Sequence, residues 1–262
     1  MRIDLLGPLS ASHNGRSIMP TAAKPCQILT LLALNPNRLM TKADLFEELW
    51  ENSPPQSATT TIHTYIHQLR RLIDRAVGDQ PTGSRDILVT HRSGYSLSHA
   101  VTDAQEFRRL CAAGTRASEA GDHRLTSQLL GSALGLWRGP MLPDIPLGPL
   151  LGLEVMALQD AREAALSRRI AADLRLGRHH EIIGELRTLS NRHPINEQFA
   201  AHYMVSLYES GRITGALQEF QRIRKLLIDE LGVEPAPRLR RLQEVMLSGG
   251  QPLRDPVLTA MA

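Results

Sequence analysis

The hydrophobic pattern changes period several times within the first hundred residues. In "MRIDLLGPLSASHNGRSIMP", Ile3 and Leu5 alternate with polar neighbours and Asn14-Gly15 supplies the positive backbone angles of a tight hairpin, so a small antiparallel sheet opens the chain. "AKPCQILTLLALNP" then sets Ile28, Leu29, Leu31, Leu32 and Leu34 on a broad apolar face, with Pro25 in the first turn and Asn35-Pro36 as a stop. In "TKADLFEELW", Thr41 caps the amide three residues on, Asp44 favours the helix dipole, and Leu45, Leu49 and Trp50 form the inner stripe. Pro54-Pro55 stops that helix, and Ser57 or Thr59 caps the next one.

The third helix runs through "SATTTIHTYIHQLRRLIDR". At 100° per residue, Ile62, Ile66, Leu69 and Ile73 fall on one face, flanked by Tyr65 and Leu72, while Thr60, Thr64, His67, Gln68, Arg71 and Arg75 occupy the other. "DILVTHRSGYSLS" reads as a hairpin: Ile87 and Val89 alternate, the chain turns at Ser93-Gly94, and Tyr95 and Leu97 alternate back. From Val101 strand signals vanish and Ala, Leu, Arg and Glu dominate, which predicts an all-helical domain over 101–248. Within it Gly177-Arg178 and Gly211-Arg212 lie 34 residues apart, the period of tetratricopeptide helix pairs. Gly121 marks an earlier, divergent copy, offset by 56 residues. Trp137 is expected to anchor the core, with Gly139-Pro140 ending its helix directly behind it. Residues 249–262 read as a loose tail.

Composition narrows the class. A hydrophobic content of 42% in 262 residues supports buried cores, and no apolar run approaches the roughly 20 residues of a membrane span. The expected location is the cytoplasm. Cys26 and Cys111 read as reduced, buried thiols. Net charge is only +3, so charge placement matters more than its total. Residues 57 to 73 contain Arg70 and Arg71 and no acidic side chain, and Arg75 follows just beyond. A solvated helix face normally mixes both signs; this one suits a polyanion, with groups of the kinds that read base edges and phosphates.

Other chemistry finds little support. Dinucleotide, P-loop, zincin and nucleophile-elbow motifs are absent, and Glu47 and Glu48 are neighbours on a helix that point apart. The chain reads as a non-enzyme without a cofactor. His63 and His67 are four apart but lack a third ligand at zinc-like spacing, so no metal site is assigned.

Sheet, three helices and a C-terminal hairpin is the order of a winged helix-turn-helix, whose third helix enters the major groove and whose hairpin reaches an adjoining groove. The fold class is therefore mainly α with small β elements: a DNA-binding domain over 1–100 followed by tetratricopeptide-like helices. The wing would present Thr90, His91, Arg92, Ser93 and Tyr95.

The chain strongly resembles the Streptomyces antibiotic regulatory protein family, which joins an OmpR-like winged helix to a bacterial transcriptional activation domain. "LLGPL", "KPCQILTLLAL", "LFEELW", "PPQSATTTIHTYIHQLRRL", "ILVTHRSGYSL", "ALGLWRGPML", "IAADLRLGRHHEIIGELRTL" and "LIDELGVEPAPRLRRLQ" carry the resemblance, which covers nearly all of residues 1 to 248. It implies an activator that binds direct DNA repeats at promoters, two protomers head to tail, and recruits RNA polymerase holoenzyme, sigma factor included, to secondary-metabolite genes. The protein would be cytoplasmic and nucleoid-associated. The recognition helix falls on Thr59 to Arg75 and the wing on Ile87 to Leu97. The loop of Glu51, Asn52, Ser53, Pro54, Pro55 and Gln56 matches the one such activators use to touch polymerase. One departure is Cys26, where the family usually has Arg; if that Arg grips phosphate, this chain has one contact fewer. Two rival readings stay open: a helical-repeat adaptor, and a repressor using the same DNA-binding domain.

Overall fold

The computed structural model describes residues 1–51, 53–78 and 83–250. The chain forms two compact units, one built from Met1–Leu110 with Ala133–Arg162, the other from Cys111–Ser132 with residues from Glu163 onward.

In the first unit, β1 (Arg2–Asp4), β2 (Ser10–His13) and β3 (Arg16–Ser17) form the expected antiparallel sheet, with Asn14 at φ 49° and Gly15 at φ 76° in the β2–β3 turn. Helices α1 (Ala23–Leu34), α2 (Lys42–Trp50) and α3 (Ala58–Val77) follow. Thr41 caps α2 as the sequence predicts: its Oγ1 accepts from the Asp44 amide at 3.1 Å while Asp44 Oδ2 accepts from the Thr41 amide at 2.8 Å. At α3 the cap residue is Ser57, but its hydroxyl caps nothing; its carbonyl instead accepts from the Thr61 amide at 2.9 Å.

The hairpin differs in detail from its sequence reading. Ile87 closes a four-residue helix, α4 (Ser84–Ile87), and the strands are β5 (Leu88–Thr90) and β6 (Gly94–Leu97). Between α1 and α2 lies β4 (Met40–Thr41), which pairs with β6 to give the sheet order β4-β6-β5. Two residues are too few for a period, so the sequence carried no signal for it. Val101 and Thr102, assigned to the helical stretch, form β7 and pair parallel with β1. Asp103 follows in the first turn of α5 (Asp103–Glu119), buried, and its carboxylate accepts from the amides of Leu5 at 2.6 Å and Leu6 at 2.9 Å.

Trp137 is an anchor of this unit: it is 9% exposed, and its ring meets Phe107 edge to face at 5.5 Å. It does not lie on a helix, because α6 (His123–Leu134) ends three residues earlier; Arg138 instead pairs its amide with the Leu6 carbonyl at 2.8 Å. The first part of α7 (Pro149–Arg175) completes the unit.

The second unit is helical. Helices α8 (His179–Arg192), α9 (Glu197–Glu209), α10 (Ile213–Leu231) and α11 (Pro237–Leu247) share a core that includes Leu186, Phe199, Met204, Phe220, Ile223 and Leu242. The three glycines read as repeat markers adopt one conformation, Gly121 and Gly177 at φ 74° and Gly211 at φ 77°. At each, the following amide reaches back five residues, Asp122 to Ala117, Arg178 to Asp173 and Arg212 to Leu207, at 2.8 to 3.0 Å. That is one left-handed helix ending used three times, which a residue with a Cβ adopts only under strain. The longer first interval follows from the inserted segment 135–148 and the 27-residue α7. Buried Asp173 locks one of these turns, accepting from Ser127 Oγ at 2.6 Å and Arg178 Nη1 at 3.1 Å. Gly249 and Gly250, assigned to the tail, remain tied to the helices, with Tyr208 Oη donating to the Gly250 carbonyl at 3.0 Å. The remaining tail, 251–262, lies outside the described residues.

Candidate nucleic-acid interface

Helix α3 is pinned by the apolar face read from the sequence: Ile62, Ile66, Leu69 and Ile73 are buried, joined by Ala76 and Val77. That burial fixes which side chains face out. Thr60, Thr64, His67, Arg71 and Arg75 are exposed and Gln68 is half-buried. Thr64, His67, Gln68, Arg71 and Arg75 line an open groove of about 500 Å³ whose other wall includes Met19 and Thr21. Thr60 lies one turn before it, its carbonyl accepting from Thr64 Oγ1 at 3.1 Å. Arg16 Nη1 donates to the Arg75 carbonyl at 3.1 Å, placing a cation on the electron-rich end of the helix.

The wing divides the five side chains expected there. Thr90, His91, Arg92 and Ser93 are exposed, but Tyr95 is 4% exposed and belongs to the core. Position in the sheet explains the correction: Tyr95 lies in the central strand, opposite both Met40 and Thr90, and all four residues of β6 are buried. His91 Nε2 lies 2.8 Å from Ser96 Oγ, and the Ser93 carbonyl accepts from the Lys42 amide at 2.9 Å, so the turn is braced from within.

Among the described residues, no carboxylate lies within ion-pair distance of Arg71, Arg75 or Arg92. Three guanidiniums are thus exposed and unneutralised along α3 and the wing tip, a surface that attracts phosphate. Asp74, the one acid in this part of the helix, is turned aside, with Oδ1 accepting from the Ser84 amide at 3.2 Å.

In the α2–α3 loop, Glu51, Ser53, Pro54, Pro55 and Gln56 are all exposed; Asn52 lies outside the described residues. Glu51 takes φ 52° and returns its amide to the Glu47 carbonyl at 2.8 Å. Beside the loop, the Phe46 and Trp50 rings meet at a tilt of 53° with centroids 6.2 Å apart, and Lys24 Nζ sits 4.4 Å above the Trp50 ring. Cys26 is not at the surface: it is 6% exposed and its thiol donates to the Pro20 carbonyl at 3.3 Å. In this chain that position offers no group to phosphate. Burial pushes the Cys26 thiol up and the Cys111 thiol up to about 11, so both stay protonated near neutrality.

Two family models match this architecture. Residues 16–97 match the C-terminal domain of transcriptional regulatory proteins, and residues 102–247 match the bacterial transcriptional activator domain. The regulatory protein DnrI of Streptomyces peucetius is 44% identical over 250 residues, spanning 94% of this chain and 92% of DnrI. The chain belongs to the Streptomyces antibiotic regulatory protein family. Regulatory protein AfsR of Streptomyces coelicolor is 32% identical along the whole chain, which corresponds to 25% of AfsR. Among solved structures, Mycobacterium tuberculosis EmbR in complex with a low affinity phosphopeptide superposes with a TM-score of 0.88 at 30% identity, over 99% of this chain and 67% of EmbR. The OmpR-like winged helix and the helical activator domain of this Streptomyces antibiotic regulatory protein are accordingly those of a transcription regulator, and its family places DNA among its partners. No helix among the described residues is long and apolar enough to cross a membrane.

Two side chains of this regulator were invisible in the sequence. The sequence shows Arg70 only as one of the basic side chains of this stretch; in the structure its guanidinium reaches across to the wing, donating to the Leu88 carbonyl and to Thr90 Oγ1. From the sequence Glu48 shows only that it points apart from Glu47; in the structure it is 2% exposed and accepts from three backbone amides. Its place four residues after Asp44, next to Leu49, was the only available hint.

Proposed function

We propose that this protein is a transcription activator that binds direct repeats at promoters of secondary-metabolite genes, two protomers head to tail. Helix α3 enters the major groove with Thr60, Thr64, His67, Gln68, Arg71 and Arg75. The wing tip, with Thr90, His91, Arg92 and Ser93, follows the adjoining groove. The observation that carries this reading is the acid-free outer face of α3, whose exposed Arg71 and Arg75 lack any carboxylate partner among the described residues. Once bound, the protein recruits RNA polymerase holoenzyme through the 51–56 loop, whose described residues are exposed, and residues 101–248 act as the activation domain. The reading involves no catalytic step and implies a cytoplasmic, nucleoid-associated protein.

The test is selection of bound duplexes from a random pool by the full chain at moderate salt, followed by run-off transcription on the winning sequence. A motif repeated in one orientation about one helical turn apart, 10–11 bp, with transcription raised when protein is added, is expected. Log affinity should fall against log salt with a slope of about −0.9 per phosphate neutralised. Repeats that bind while transcription falls would make the protein a repressor. No motif and no salt dependence would leave the adaptor reading in its place.

A further inference from the structure

Strand β5 is an edge strand: in the order β4-β6-β5 only one of its sides is paired. The Ile87 carbonyl accepts from the Ser98 amide at 2.7 Å, and the His91 amide donates to the Gly94 carbonyl at 2.9 Å. Backbone groups alternate in direction along a strand, so those of Leu88 and Thr90 face the open side. Arg70 of α3 closes that side. Its Nε donates to the Leu88 carbonyl at 3.2 Å, and its Nη2 to the same oxygen at 2.6 Å and to Thr90 Oγ1 at 2.7 Å. One turn further along α3, Asp74 Oδ1 accepts from the Ser84 amide that opens α4.

The helix therefore carries two interleaved pairs at i, i+4. Arg71 and Arg75 line the outer groove, while Arg70 and Asp74, rotated by one residue, hold α4 and β5. Thr90 is the last residue of β5, two positions before Arg92 at the wing tip. A planar guanidinium with donors in a fixed fork reaches both oxygens at once, whereas a lysine presents a single flexible point charge.

We propose that Arg70 is a positioning residue that fixes the wing to the recognition helix, so that Arg92 meets DNA in a set register with Arg71. The proposal rests on the DNA-binding reading above. Without the tie, the hairpin keeps its pairing to β4 and the buried Tyr95 and Leu97, so the fold persists while the tip loses its register. The wing contact then has to be ordered at each binding event, and its contribution shrinks.

The experiment is a double-mutant cycle on the full chain, by fluorescence anisotropy with the selected duplex at fixed salt. In the wild type, Arg92→Ala is expected to weaken binding about 5- to 10-fold, the range of one charge-assisted phosphate contact. In an Arg70→Lys background the same change should weaken it less than about 2-fold, and Arg71→Ala should keep its full effect in both. Thr90→Val removes the Nη2 to Oγ1 bond together with a hydroxyl placed on the DNA-facing wing, so its own effect on affinity is set aside and only the size of the Arg92→Ala effect within it is read; that effect should be reduced partway, which serves if Arg70→Lys fails to fold. Equal effects of Arg92→Ala in all backgrounds, or no effect of it in the wild type, would overturn the proposal. So would loss of the Arg71→Ala effect together with that of Arg92→Ala, since that marks general disruption of α3. A wild type that binds no DNA at all would instead sink the DNA-binding reading, and this proposal with it.

Discussion

Glu48 Oε2 accepts the amide of Leu151 at 2.9 Å across 103 residues of sequence. The same carboxylate takes the amides of Leu150 at 3.0 Å and, through Oε1, Gly148 at 2.7 Å. These are donors at the start of α7, where the helix leaves amides without internal partners and the dipole favours an anion. Burial pushes the Glu48 carboxyl up, while the three amide donors pull it down. The approach is close: a Cβ at Gly148 would stand 2.1 Å from the Glu48 carbonyl oxygen.

Removing this acceptor leaves three amides unpaired, that of Leu151 buried and those of Gly148 and Leu150 part-buried. Glu48→Ala is expected to destabilise the protein by about 2–4 kcal/mol, read as a lower urea midpoint with an unchanged slope. Gly148→Ala should destabilise comparably although it deletes nothing, because its Cβ has no room. A Glu48→Ala midpoint within error of wild type would show that the clamp contributes nothing in solution.

Arg71→Ala is expected to weaken binding to the selected duplex by about 1–3 kcal/mol. If Arg71 reads a base, preference relaxes at one position of the motif. Uniform weakening over all sequences, with the salt slope reduced by about one contact, would assign it to phosphate instead. Competition by single-substituted duplexes distinguishes the two.

Alanine at Ser53, Pro54 and Gln56 together is expected to leave the affinity for DNA within about 2-fold while run-off transcription falls well below that of the wild type, because the loop is exposed and stands apart from the α3 groove. Parallel loss of binding and transcription would remove the loop from the polymerase contact.

His202 is 5% exposed on α9, and neither ring nitrogen has a hydrogen-bond partner among the described residues. Burial lowers its pKa from 6.5 to about 4, so the fold holds it neutral. The unfolded chain binds that proton between about pH 6.5 and 4, so stability is full above the upper value and falls as pH drops toward the lower one. Between pH 7 and pH 5 the loss attributable to this residue is about 2 kcal/mol. His202→Leu, which cannot titrate, should flatten that part of the profile in urea titrations at the two pH values. An unchanged pH dependence would show that the imidazole is solvated or partnered in solution.

What the sequence determined is whatever a local period or a local turn specifies. The 3.6-residue stripe of Ile62, Ile66, Leu69 and Ile73 fixed the orientation of α3 and therefore the outward set from Thr60 to Arg75, because burying one face leaves no choice about the other. Asn14-Gly15, Thr41 with Asp44, and the glycines at 121, 177 and 211 each encode a backbone shape within a few residues, and each was legible for that reason. Tertiary structure decided the rest. Tyr95 looks like a wing residue until β4, too short to show a period, covers the sheet beside it. Glu48 and Arg70 carry the ordinary signature of surface charges; only the approach of α7 to one and of β5 to the other turns them inward. All three partners of Glu48 and the Leu88 carbonyl held by Arg70 are backbone groups, which every residue possesses and which therefore leave no mark on the sequence that a local pattern could reveal.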